Sequence, residues 1–315
     1  KGIKKKFSFI NFNINYSFLS IFTSLILLKN LIEKNKIKIV HAHTQRAAFL
    51  ICLIKLFLIK KIKIVYTPHG FRHSQLKSPK KFFHLLIEKF ILKKIDHVIL
   101  ITKKENFFLD SLKLLNIKKT IIKTSIPKVK FKKSISLRNQ FNIESKKKII
   151  VMCGSVQKIK QPKLFLEIAE KINNTIDDVY FFWIGKKIDL PNKFRNEKIK
   201  FIGNIDNKLR YYSFMKSADI FLMTSKLETY PIAVLEARNV GLPIVCNSFD
   251  GVEDILEKSK FEIKFKYNSS DSAVKILKKL LSIKKSEFKK NKIINTNKLI
   301  YELCKKHLYI YNTLK

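Results

Sequence analysis

Hydrophobic and polar positions along the chain follow two alternating rhythms. Short apolar runs bounded by polar residues or glycine recur at Ile37–His43, Lys63–Gly70, His97–Thr102, Lys148–Gly154, Val179–Gly185, Ile199–Gly203, Ile220–Met223 and Ile244–Cys246. They are too short for helices and fit buried strands. Longer amphipathic stretches alternate with them: Ser20–Glu33, Gln45–Leu58, Lys80–Lys94, Glu105–Leu115, Lys163–Asn173, Leu209–Ser217, a helix opening at Pro231, Asp271–Leu281 and Lys298–Leu314. The alternation predicts an α/β chain built on parallel sheets. Phe7–Phe12 reads as a poor strand, and Asp250–Asp254 as the start of another helix.

The most informative stretch is Lys216–Cys246, which reads as strand, acidic loop, helix, turn, strand. Pro231 suits the first helical position, where its missing N–H costs nothing. Gly241 ends the helix as its C′ residue and Pro243 blocks continuation. Glu228 falls in the loop before this helix and Glu236 more than a turn inside it. A helix start at the carboxyl end of a parallel strand offers free N–H groups to an anion. An acid a turn further in can reach hydroxyls that the anion carries. The same two residues also read as an ordinary loop acid and a solvated or capping one, and spacing alone leaves both readings open.

Three other features carry chemistry. Lys148–Gly154 runs as a strand into a glycine, and the following loop supplies Lys158 and Lys160, candidate phosphate ligands. His41 and His43 lie two apart and so share one face of their strand. Thr67-Pro68-His69-Gly70 closes the next one. A His-x-His pair without a third ligand in sequence makes a poor metal site, and the chain contains no Asp-x-Asp. His73, His84, His97 and His307 belong to no motif and read as structural, and Trp183 in its aromatic strand reads as core.

Charge alters this picture less than its size suggests. The 315 residues carry 65 Lys and Arg against 24 Asp and Glu, a formal net charge of +41, which points to phosphate-rich partners or an anionic membrane surface. Only six of the basic residues are arginine (46, 72, 138, 195, 210, 238), the side chain that bidentate phosphate and base recognition favours. Lys, Ile, Asn and Phe are abundant throughout, so compositional drift explains much of the charge and weighs against nucleic acid. Cys52, Cys153, Cys246 and Cys304 lack metal-ligand spacing and read as buried free thiols. No signal peptide with a cleavage site is visible, and no apolar run is long enough to span a bilayer.

Glu228, Glu236-Ala237 and Gly241-Leu242-Pro243, in their strand–loop–helix–strand setting, resemble the signature of retaining glycosyltransferases of the GT-B fold, family 4. The resemblance covers most of the chain, strongest over 148–256, and implies two Rossmann-like domains facing a cleft. The expected division is an acceptor-side domain over 1–124, a linker over 125–146, a nucleotide-sugar-binding domain over 147–295, and a helix over 296–315 crossing back to the first domain. It implies that Glu228 lies beside the donor sugar, Glu236 holds the ribose, Lys160 binds the pyrophosphate, and Gly154, Ser155, Thr229, Tyr230 and Ile232 complete the donor site. Ser155 stands where the family usually has arginine. His43 would line the acceptor and donor-sugar region, and His69 the reacting carbon. Residues 1–36 lack the family's glycine-rich loop, Gly2 being the only glycine before Gly70, which implies an acceptor-side domain without its first strands.

The implied activity is metal-independent transfer of a sugar from a nucleotide-diphosphate sugar to a saccharide or lipid-linked acceptor in surface glycan synthesis. The nucleotide-sugar serves as substrate, and no cofactor or metal is expected. The expected location is cytoplasmic and peripheral on the inner face of the cytoplasmic membrane, with the basic helix Lys80–Lys94 facing anionic lipid. Two other readings are an inactive relative that binds anionic surfaces and a nucleotide-sugar epimerase of the same fold.

Overall fold

The computed structural model describes residues 18–57, 62–71, 79–114, 116–126, 135–189, 196–284, 287 and 296–315. The poor strand expected at Phe7–Phe12 lies outside them. The chain divides into two compact units: Lys1–Leu100, Glu105–Ile122 and His307–Lys315 form the first, Ile101–Lys104 and Lys123–Lys306 the second.

In the first unit, α1 (Phe18–Lys34) precedes β1 (Ile39–His43), α2 (Gln45–Phe57), β2 (Lys63–Thr67), α3 (Lys80–Lys94), β3 (His97–Leu100), α4 (Lys103–Ser111) and β4 (Lys119–Ile121). The described strands pair in sequence order and all in parallel, as the strand–helix alternation predicts. Ile51, Ile54, Ile64, Tyr66 and Ile91 form one core cluster, which α1, α2 and α3 share. Asp96 ties the layer together, accepting from the Ile64 amide at 2.9 Å and from Lys55 and Lys63. The apolar residues of α3 divide between core and surface. The helix buries Glu88, Ile91 and Leu92, whereas Phe82 and Phe83 are 64% and 63% exposed and Leu86 is exposed as well.

The second unit comprises α5 (Leu137–Gln140), β5 (Lys148–Cys153), α6 (Pro162–Asn173), β6 (Val179–Ile184), β7 (Ile199–Gly203), α7 (Lys208–Ser217), β8 (Ile220–Met223), α8 (Ile232–Asn239), β9 (Ile244–Asn247), β10 (Glu262–Phe265), α9 (Ser270–Leu281) and most of α10 (Thr296–Thr313). From His307 onward α10 counts with the first unit. The strand order is β10-β9-β8-β5-β6-β7, parallel throughout. The chain winds outward from β5 to β7, returns to the other side of β5 with β8, and winds outward again. That reversal is the doubly wound topology, whose switch point lies between β5 and β8.

Each face of this sheet buries its own core. Phe165, Ile168, Leu277 and Trp183 lie on one side, and Phe182, Phe214, Phe221, Val234 and Ala237 on the other. Trp183 is fully buried, stands 5.0 Å from the Phe165 ring, and donates its indole N–H to the Gly154 carbonyl at 2.7 Å. It is core, and it also steadies the glycine loop.

The structure corrects four expectations. Residues 135–146, assigned to the linker, belong to the second unit. Leu137 is fully buried, and Arg138 donates to Asp219 at 2.9 Å while the same carboxylate accepts from the Ile149 amide. Pro231 is the N-cap of α8 rather than its first residue, with an extended ψ of 114°. Gly241 does end α8 in the left-handed region, with Leu242 N–H on Ala237 O and Gly241 N–H on Arg238 O. Val252–Asp254 forms one 3-10 turn and leads to β10, a strand that two charged residues in four conceal. Finally, Cys304 is exposed, while Cys52, Cys153 and Cys246 are buried. Burial pushes the Cys52 and Cys153 thiols up to about 12, so both stay protonated and inert.

Gly185 is where the sheet leaves no room. A Cβ there would stand 2.0 Å from the Gly154 carbonyl oxygen, backbone against backbone. We expect Gly185→Ala to destabilise the second unit by roughly 3 kcal/mol, the upper range for an overpacked position. The fall in the urea midpoint checks this.

Candidate functional site

Each unit gathers one cluster of functional side chains. In the second unit the loops leaving β5 and β8 stand at the switch point, where doubly wound sheets bind ligands beyond the carboxyl ends of their strands. They are cross-tied. Thr224 Oγ1 donates to the Lys160 carbonyl at 2.7 Å and the Lys226 amide to the Ile159 carbonyl at 2.8 Å. Asn247, at the end of β9, donates to the Ser225 carbonyl at 3.1 Å and to Gln161 Oε1 at 3.0 Å. Gly154 takes φ +128°, and Ser155 is partly buried beside it.

These ties bring Lys160 and Glu228 into direct contact, Lys160 Nζ on Glu228 Oε1, with the Glu228 side chain only 12% exposed. Charge placed there costs desolvation unless paired, and each group satisfies the other. At the start of α8 the Ile232 and Ala233 amides are the first two of the helix, and Val234 already donates to the Pro231 carbonyl. Ile232 is exposed, Thr229 is partly buried, and Glu228 precedes both on the same loop. Tyr230, expected among the donor ligands, also borders a cavity of about 310 Å³ with Leu235, Arg238 and Ile255, a cavity that neither Lys160, Glu228 nor Glu236 lines.

Glu236 is half-buried and already held by α7. It accepts from the Tyr211 hydroxyl at 2.7 Å on Oε2 and from the Tyr212 hydroxyl at 3.1 Å on Oε1. Burial raises its pKa, and the two phenol hydrogen bonds oppose that rise. Both tyrosines escaped the sequence reading. Their signal was a doubled aromatic in a helix otherwise rich in charge, which reads equally well as packing.

In the first unit His43 ends β1 and His69 follows β2, and both are exposed. Register places His43 beside Thr67, and the turn after it puts His69 at φ +54°, a left-handed conformation that histidine tolerates better than most residues. His43 Nδ1 and His69 Nε2 are 2.8 Å apart, one donating to the other. The Gly70 amide donates to Glu105 Oε1 at 2.7 Å and fixes the turn. His41 stacks on His43 at 4.3 Å, and its two nitrogens meet Thr67 Oγ1 at 2.8 Å and the Tyr311 hydroxyl at 2.6 Å. Tyr311 lies on the part of α10 that belongs to this unit. His84 and His97 serve structural bonds, to Gln45 and Thr120, His307 packs 6.0 Å from His41, and His73 lies outside the described residues. No group of three or more His, Cys, Asp or Glu among the described residues has metal-holding geometry.

Burial and the neighbouring imidazoles push His41 down to about 3; burial also lowers His43 and His69. The trio is therefore neutral near pH 7, able to donate and accept at once.

The family follows from comparison with known proteins. The family model described as glycosyl transferases group 1 matches residues 133–298, and that described as Glycosyltransferase Family 4 matches residues 5–116. The chain belongs to the group 1 glycosyl transferases. Similar sequences include an Escherichia coli UDP-Gal:alpha-D-GlcNAc-diphosphoundecaprenol alpha-1,3-galactosyltransferase, 26% identical over 94% of this chain and 81% of that one. A 41.2 kDa protein in the cps region of Klebsiella pneumoniae is 25% identical over 80% of this chain and 72% of that one. Among solved structures, sucrose-phosphate synthase from Thermosynechococcus elongatus superposes with a TM-score of 0.75 at 15% identity, covering 94% of this chain and 78% of that one. A glycosyltransferase from Rickettsia africae gives 0.73 at 18% identity, covering 97% and 84%. This group 1 glycosyltransferase therefore has the two-sheet GT-B fold, as the sequence resemblance implies.

The neutral histidines set a pH dependence. Unfolded histidine takes up its proton near pH 6.5, whereas folded His41 does so only near 3. Between those values the unfolded chain holds more protons, so stability falls as pH falls. Glu88, raised by burial to about 7, acts in the opposite direction in the same range. The difference between wild type and His41→Gln isolates the imidazole. We expect wild type to lose more stability than this variant between pH 6.5 and 4, read as urea midpoints at each pH.

Proposed function

We propose that this glycosyltransferase transfers a sugar, with retention of anomeric configuration, from a nucleotide-diphosphate sugar to a lipid-linked saccharide in surface polysaccharide synthesis. The observation that carries the donor half is the Lys160–Glu228 contact at the sheet's switch point, beside the first amides of α8. A donor diphosphate offers Lys160 a new anionic partner, and sugar hydroxyls offer Glu228 hydrogen bonds, so binding replaces one satisfied pair with two. When the bond from the anomeric carbon to the diphosphate breaks, charge collects on the leaving phosphate. Lys160 and the Ile232 and Ala233 amides offset that charge from fixed positions. The acceptor oxygen bonds to the same carbon and gives its proton to the departing diphosphate. Glu236 takes the ribose hydroxyls. His43 and His69 handle the acceptor and sugar side, neutral and able to exchange a hydrogen bond without gaining charge.

Related proteins support the donor class. Anabaena Alr3699/HepE, with a TM-score of 0.68 at 14% identity, has been solved with UDP and glucose, and the E. coli relative uses UDP-Gal and a diphosphoundecaprenol acceptor. A lipid-linked acceptor suits the first unit, where α3 exposes Phe82, Phe83 and Leu86 alongside Lys80, Lys81, Lys93 and Lys94. That combination fits a helix lying on an anionic leaflet. No helix among the described residues is long and apolar enough to cross a membrane; the exposed aromatic and basic side chains of α3 support peripheral contact on the cytoplasmic face as the proposed arrangement. The donor is the substrate, and neither cofactor nor metal enters the proposed reaction. The family match favours a transferase over an epimerase, and the Lys160–Glu228 contact supports a working donor site over an inactive binding protein.

Incubating the protein with radiolabelled nucleotide-sugars and polyprenyl-diphosphate-linked acceptors tests the reading. Lys160→Ala and Glu228→Ala should each lower transfer or donor hydrolysis by about 10²–10³-fold, the usual cost of removing one charge-stabilising group; undiminished activity in both would refute the assignment. A second measurement addresses the membrane. Phe82→Ser/Phe83→Ser should weaken sedimentation with phosphatidylglycerol vesicles without altering donor affinity.

A further inference from the structure

The Glu236 carboxylate is held by two phenols that lie outside the signature of the family. Tyr211 and Tyr212 are consecutive residues of α7, so their side chains leave the helix about 100° apart. Their rings meet edge to face at 5.3 Å, and each hydroxyl reaches a different oxygen of the same carboxylate. Adjacent helical residues seldom serve one partner. Here they do so because Glu236 projects from the facing α8 into the gap between them. Tyr212 is only 8% exposed, and the buried Cys153 thiol at the end of β5 neighbours the Tyr211 hydroxyl.

A carboxylate oxygen accepts two hydrogen bonds. With one position on each oxygen occupied by a phenol, one position on each remains for a further donor. A pair of acceptors on one rigid carboxylate matches a vicinal diol. We propose that Tyr211 and Tyr212 are positioning residues that lock Glu236 as a two-point receptor for the ribose 2′- and 3′-hydroxyls, and so set the preference of this site for ribonucleotides over deoxyribonucleotides. This rests on the donor-site reading given above and adds to it the element that orients the ribose ligand.

The receptor works only when Glu236 is ionised. Burial disfavours that state, and the two phenol bonds favour it. The other groups facing the carboxylate are Lys208 on α7, which also favours ionisation, and the neutral Cys153 thiol. Removing the phenol hydroxyls leaves burial less opposed, so the carboxylate takes up its proton at a higher pH. Nucleotide affinity would then start to fall at a higher pH as the solution is acidified.

The experiment is calorimetric titration of the full chain with UDP, GDP and their 2′-deoxy counterparts between pH 5 and 8. The proteins compared are wild type, Tyr211→Phe, Tyr212→Phe, the double variant and Glu236→Ala. Each Tyr→Phe change removes one oxygen and no carbon, so the single variants keep the packing of α7 and are read even if the double variant does not fold. For wild type we expect at least tenfold tighter binding of the ribonucleotide, lost in Glu236→Ala. Each single variant should reduce that preference several-fold and move the acid limb of binding to higher pH. If the single variants keep both the preference and the acid limb of wild type, the positioning role is overturned while the donor-site reading stands. If wild type shows no ribose preference, or Glu236→Ala retains it, Glu236 is not the ribose ligand and both fall together.

Discussion

The cross-tie between the loops after β5 and β8 is the constraint on which the rest of the second unit depends. Two strands that are neighbours in space but far apart in sequence send their chains to opposite sides of the sheet, and a crevice opens between them. Left alone, such loops would move independently. Here Thr224 holds the Lys160 carbonyl, Lys226 holds the Ile159 carbonyl, and Asn247 grips both loops from the next strand. Once those bonds form, Lys160 and Glu228 have little choice but to meet. Each then occupies a place too dry for an unpaired charge, and only a ligand that satisfies both can separate them. The ion pair is thereby a selective stopper. A simple anion can replace Glu228 at Lys160 but leaves Glu228 without a partner. Under the proposed function, a diphosphate joined to a polyhydroxylated sugar supplies both replacements.

The first unit solves a different problem. Three stacked histidines with a hydrogen bond from ring to ring would repel one another if charged, so their burial and mutual proximity keep them neutral. His41 is the least exposed of the three and the most tightly held, by Thr67 on the neighbouring strand and by Tyr311 on the last helix. It acts as the fixed base of the stack, and His43 and His69 are the exposed members. Fixing one ring by two bonds orders the next by stacking, which restricts the exposed pair without consuming their own polar atoms.

Much of this was legible in the sequence, for identifiable reasons. The strands of the second sheet are almost wholly apolar, because both faces are covered, and a run such as Ile220–Met223 admits few other readings. Pro231 and Gly241 marked the bounds of α8, since proline and glycine punctuate the chain by backbone sterics that context rarely overrides. β10 escaped because Glu262 and Lys264 interrupt its pattern; Glu262 is there to receive Arg238, a partner 24 residues away. Leu137–Gln140 passed for linker because its docking depends on Asp219, more distant still. Tyr211 and Tyr212 were invisible for the same reason, as their meaning lies in a carboxylate on another helix. Local sterics were readable, and long-range polar pairing was not.

That distinction also explains how the chain spends its arginines. Six remain among 65 basic residues, and those whose bonds are described serve the fold. Arg238 grips Glu262 through two nitrogens, Arg138 holds Asp219 and two loop carbonyls, and Arg210 bonds Gln140. Arg238 and Arg138 use several nitrogens of the planar fork, which lysine cannot imitate, whereas Arg210 makes a single bond. Where a ligand is a phosphate approached from one side, a point charge suffices, which is the role proposed here for Lys160. A drift from arginine towards lysine would thus be resisted at the structural forks and tolerated at the donor site, provided that fixed backbone amides share the phosphate charge. The first amides of α8 are placed to do so. The large positive charge of this protein and its sparing use of arginine are in this view one compositional pressure, limited in each place by the geometry of the partner.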